Sequence, residues 1–124
     1  MKKVVLLLVI LMAVTGAMFA QSAEGIFAAI PAAAYTKSDD GAVWTFAATS
    51  LTIRDGNGSI TIPIQEMRNL SAVMEGAFPG CSFAYDTAAY KRTYKFVLNG
   101  MTGDVSLTIV RDGETLPVAT LKKR

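Results

Sequence analysis

The run Tyr85-Asp86-Thr87-Ala88-Ala89-Tyr90-Lys91-Arg92-Thr93-Tyr94-Lys95 concentrates the side chains best suited to hold a ligand. Aromatic rings can stack on a bound molecule while interleaved cations neutralise it, as with an anionic lipid, a glycan or a nucleic acid. Tyr85, Tyr90, Arg92, Tyr94 and Lys95 are therefore the candidate ligand-binding residues. Counted in twos along a strand, Arg92 falls with Tyr90 and Tyr94, away from Lys91, Thr93 and Lys95, where it would present a charge at a pocket mouth. The plainer reading is a hairpin whose lysines keep the outer face soluble and protect an edge.

Catalysis has less material. The chain has no histidine, so it lacks an imidazole base and an imidazole metal ligand. Cys81 is its one cysteine, which excludes a disulfide within the chain. Because Cys81 alternates with Phe83 and Tyr85, it reads as a small buried hydrophobe rather than a nucleophile. Asp39, Asp40, Asp55, Asp86, Asp104 and Asp112 all fall at or beside predicted turns, where Asp is favoured for local hydrogen bonding. A carboxylate pair would need two of them, or one such as Asp86 with Glu66, to meet in space. No phosphate loop, CxxC or HExxH pattern is present. The expectation is a binding protein and not an enzyme, with no catalytic residue, metal or cofactor assigned.

The segment Asp55-Gly56-Asn57-Gly58-Ser59 through Glu66 resembles the calcium loop of EF-hand proteins, which offers oxygens at alternate positions and closes with a bidentate Glu. With Asp55 first, Asn57, Ser59 and Glu66 fall correctly, but Ile60 occupies the position that needs Gly for the sharp turn. With Gly58 in that position, Ile53 and Ile64 replace the first and last acidic ligands. The flanking pattern is also a strand and not a helix, so a hairpin turn is the expectation.

Met1 to Ala20 read as an export signal. Lys2 and Lys3 precede an apolar run from Val4 to Val14, and small residues lead up to Ala20 before polar Gln21. The run is shorter than the ~20 residues of a membrane span, so removal is expected, with no stable membrane insertion afterwards. The destination is exported, either periplasmic or secreted. The whole chain carries 12 Lys and Arg against 10 Asp and Glu. Without Lys2 and Lys3 the two signs balance, which argues against nucleic acid as a partner. About 104 residues then remain, the size of one domain.

Ser22 to Ile30 predicts a short helix capped by Ser22 and ended by Pro31, and Ala32 to Gly41 reads as a connector. Apolar residues then recur in twos: Trp44 and Phe46, Leu51 and Ile53, Ile60 to Ile64, Cys81 to Tyr85, Tyr94 to Leu98, and Val105 to Ile109. Asp55 to Gly58 and Asp112 to Glu114 are hairpin turns. Gln65 to Glu75 breaks the alternation: Met67, Leu70 and Val73-Met74 have helical spacing and Gly76 is placed as a stop. Thr115 to Leu121 predicts a last strand at an edge or bulged at Pro117. Lys122-Lys123-Arg124 reads as a loose tail.

The fold expected is mainly β (α+β): one antiparallel sheet of about seven strands curled into a small barrel or sandwich, with one mid-chain helix plugging an end. The domain reading is 1–20 signal peptide, 21–42 short helix and connector, and 43–124 β-rich domain. The function expected is binding of a protein or cell-envelope partner, or else carriage of a small apolar or anionic ligand. For carriage, the inward aromatics would have to line a cavity instead of filling it.

Overall fold

The computed structural model describes residues 22–89 and 91–124. Residues 1–21, which include the expected export signal, and Tyr90 lie outside the described residues. A short helix, α1 (Ala23–Phe27), is followed by ten strands in chain order. The first four are β1 (Ala34–Lys37), β2 (Val43–Phe46), β3 (Ser50–Asp55) and β4 (Gly58–Pro63). A 3₁₀ turn, Ile64–Glu66, leads to β5 (Arg68–Glu75), β6 (Phe78–Asp86), β7 (Lys91–Leu98) and β8 (Val105–Arg111). The last two are β9 (Glu114–Thr115) and β10 (Ala119–Lys123).

All strands join one antiparallel sheet, ordered β4-β3-β2-β1-β10-β8-β7-β6-β5, with β9 added to β8. The sheet is thus two four-stranded meanders stitched together by β10, which pairs with β1 on one side and β8 on the other. It curls into a half-barrel. Phe46 on β2 and Phe96 on β7 meet edge to face with centroids 5.0 Å apart, although β1, β10 and β8 lie between their strands in the sheet. β4 and β5 remain as the two edges.

One end of this half-barrel is closed by α1. Ser22 caps the helix by accepting a hydrogen bond from the Gly25 amide at 3.1 Å. Phe27 and Ile30 are then buried in the core, with the Phe27 ring 5.6 Å from Phe46. The aromatic set continues through Tyr35, Phe83, Tyr94 and Phe96, all almost fully buried. Burying such rings contributes more per residue than any other core group, and their edge-to-face contacts add ~0.5–1.5 kcal/mol per pair. The inward aromatics anticipated as a cavity lining therefore mostly fill the interior.

Several expectations are corrected. Gln65 to Glu75 is not a helix: after the 3₁₀ turn it is the edge strand β5, so the one short helix is N-terminal. The register of β5 on β6 shifts between Arg68 and Ser71, and Asn69 has φ 56°. That extra residue resets the alternation, so half-buried Leu70 and Val73 fall three apart and imitate a helical face. The strand count is ten rather than seven. The connector contains β1, whose Tyr35 is fully buried. Pro117 interrupts the final strand as its missing N–H requires, but β10 lies inside the sheet and not at its edge. The tail is also ordered, with Lys122 and Lys123 opposite Thr36 and Tyr35.

β6 and β7 approach so closely at Gly80 that a Cβ there would lie 1.9 Å from the Phe96 carbonyl oxygen. Relief would require moving backbone, so Gly80→Ala is expected to cost ~3 kcal/mol or more, the upper range for overpacking. Gly100 faces open space without a positive φ. Gly100→Ala should be neutral or stabilise by up to ~1 kcal/mol by restricting the unfolded chain. Urea melts of both variants check this pair, and equal stability of the two would contradict the close approach.

Candidate functional site

The end of the half-barrel opposite α1 is open and holds a cavity of about 390 Å³. Its walls follow directly from the registers. On the first meander, Trp44 stands opposite Ile53, and Ile53 opposite Ile60, giving an apolar row across β2, β3 and β4. On the second, Tyr85 stands opposite Arg92, and Arg92 opposite Arg111, giving a polar row across β6, β7 and β8. One step deeper, Phe83, Tyr94 and Ile109 are the corresponding row and floor the cavity with core. Alternation alone puts these residues inward, because each shares a strand face with a core residue such as Leu107 or Phe96.

The rim is held by local hydrogen bonds. The Lys37 ammonium lies 2.9 Å from Asp39 and 3.1 Å from Asp40, and Asp40 also accepts from the Ala42 amide at 2.9 Å. Burial by itself would lower the Lys37 pKa, but the two carboxylates outweigh it and the pKa is raised. Burial likewise pushes the Asp40 carboxyl up, while the Ala42 amide and Lys37 more than reverse this and hold it below its ordinary value. On the facing hairpin, Asp55 accepts from the Asn57 amide at 2.8 Å and so fixes the β3–β4 turn. The Asp55 to Gly58 segment is thus a two-residue hairpin turn, with Asp55 and Gly58 in register. Among the described residues, no group of three or more Cys, Asp or Glu is placed to hold a metal ion.

Two details mark the interior of the site. Arg92 donates from Nη1 to the Tyr94 hydroxyl at 3.2 Å, which directs its guanidinium along the inner face. Trp44 borders the cavity, and its buried Nε1–H has no hydrogen-bond partner among the described residues. A buried donor left so costs ~1–3 kcal/mol.

Of the five candidate binding residues, Tyr85, Arg92 and Tyr94 come together on the cavity wall. Lys95 does not join them; it lies on the outer face and pairs with Glu75. Tyr90 is outside the described residues. Arg111, Lys37, Ile53 and Ile60 complete the walls. Extending the Val105, Leu107, Ile109 alternation by one step would have found Arg111. The carboxylates Asp86 and Glu66 do share a shallow depression, but with Arg68, whose guanidinium holds Asp86 at 2.6 Å.

Cys81 is wholly buried, and desolvation pushes its thiol up to about 12. No helix of the described residues is long and apolar enough to cross a membrane. No family model, curated protein or solved structure matches the chain.

Two outcomes are expected. At pH 8 a thiol reagent such as Ellman's should leave Cys81 unmodified until denaturant is added, then react with one thiol per chain; rapid native labelling would contradict its burial. For Asp40, a carboxyl held below its ordinary 3.8 when folded contributes stability above that pH, which is lost as pH falls through the lower folded value. Asp40→Asn should therefore melt below the parent chain at neutral pH, and the two should converge in strong acid. A gap that persists unchanged to the acid limit would rule out this linkage.

Proposed function

We propose that this chain is an exported, non-catalytic binding domain, periplasmic or secreted, whose ligand is a small molecule received at the open end of the half-barrel. The observation that carries this reading is the cavity itself. Other depressions on the surface are as large, and what sets this one apart is that it combines an apolar row with a few convergent polar groups, the make-up of small-molecule sites. The first twenty residues support export through their charged start, apolar run and small-residue finish. Non-catalytic action is supported by the lack of histidine and by the sealing of Cys81 away from any substrate.

A protein or cell-envelope partner is a second reading, favoured by the open sheet edge at β5. There Met74 is 68% exposed, and an added strand would find an unpaired ladder. The two readings separate in one experiment. Native mass spectrometry of the protein purified from its source should show a co-purifying small molecule that is released on unfolding. A clean chain mass, together with stoichiometric capture of an envelope protein, would reverse the ranking.

A further inference from the structure

We propose that the ligand of the mouth is a small amphipathic acid, its anionic head taken by Arg92 and Arg111 and its apolar body laid against Trp44, Ile53 and Ile60. This rests on the reading of the mouth as the binding site and adds the chemistry it selects.

The arginine pair carries the argument. Arg92 and Arg111 are direct cross-strand partners on the inner face of β7 and β8. Like charges directly opposite each other in a sheet are destabilising, whereas apolar residues at the same positions would simply extend the core. A guanidinium is a planar donor from which a carboxylate or phosphate accepts paired hydrogen bonds, and both arginines border this cavity. An anion in the cavity is attracted by both charges.

The rest of the wall agrees in sign. The Tyr85 hydroxyl and the buried Trp44 Nε1–H, which has no partner among the described residues, border the cavity with the two arginines. The two carboxylates bordering the same cavity are already engaged, Asp40 with Lys37 and the Ala42 amide, Asp55 with the Asn57 amide. A donor-rich wall with its own acceptors committed selects an acceptor-rich guest. Facing it, Ile53 and Ile60 make no polar demand, so the guest needs an apolar body on that side.

The chain has a single tryptophan, so Trp44 emission reports on this cavity alone. Three probes dissect the proposal: octanoate with head and body, 1-octanol with body only, and acetate with head only. Octanoate should change Trp44 emission saturably and bind about tenfold or more tighter than either other probe, the worth of one charge-assisted hydrogen bond. Arg111→Gln should lose about the same factor for octanoate, leave octanol unchanged and keep a cooperative melt. Arg92→Gln should do likewise; both arginines also interact within the fold, Arg92 with Tyr94, so the cooperative melt is the control for each variant. If octanol matches octanoate, or Arg111→Gln binds octanoate as the parent does, the acid head is wrong while the mouth remains a binding site. If no probe alters Trp44 in the folded chain, both readings fall.

Discussion

The contact on which the rest of the molecule depends is the edge-to-face meeting of Phe46 and Phe96. Three strands separate them within the sheet, so they can touch only if the sheet bends until its inner face meets itself. Right-handed strand twist supplies part of that bend. The aromatic interior supplies the reward, because Tyr35, Phe83 and Tyr94 also lose their water only in the curled form. Gly80 belongs to the same constraint: without a side chain, it lets the Phe96 backbone come in close enough for the ring to reach the centre.

Once the sheet is curled, its two ends have different fates. At one end α1 brings Phe27 over Phe46, and the alternation of inner residues ends in packed hydrocarbon. At the other, no element among the described residues covers the strands, and the same alternation runs out into charge. Along β8 the inner face passes from buried Val105 and Leu107 through half-buried Ile109 to Arg111. Along β7 it passes from Phe96 through Tyr94 to Arg92. Core and site are therefore successive rungs of one pattern, and the polarity of the last rung decides what the mouth can hold.

That pattern explains what was legible in the sequence. Trp44 with Phe46, Cys81 with Phe83, and Tyr94 with Phe96 declare inner faces because nothing disturbs the two-residue period between them. The Asp55 to Gly58 turn declares a hairpin because Asp caps it and Gly58 takes a positive φ. β5 was illegible because its bulge at Asn69 shifts the period, and β1 because one buried Tyr35 in four residues makes no rhythm. The site was half legible. Arg92 announced itself beside two tyrosines, whereas Arg111 acquires meaning only when register sets it opposite Arg92.

The place of β10 has a consequence for when the fold can form. It is the last of the ten strands, yet it sits between β1 and β8 and, among the described residues, is the only strand connecting the two meanders. Until Ala119–Lys123 is available, neither meander can be aligned on the other, and the inner face has nothing to hold it curled. Pairings between such distant parts of a chain close slowly, because the intervening loop entropy must be lost first. The two meanders would thus stay unaligned until β10, the last of the ten strands to be made, had paired with both. β10 acts as the latch of the sheet: the strands before it can be made and paired locally without committing the molecule to its curled form.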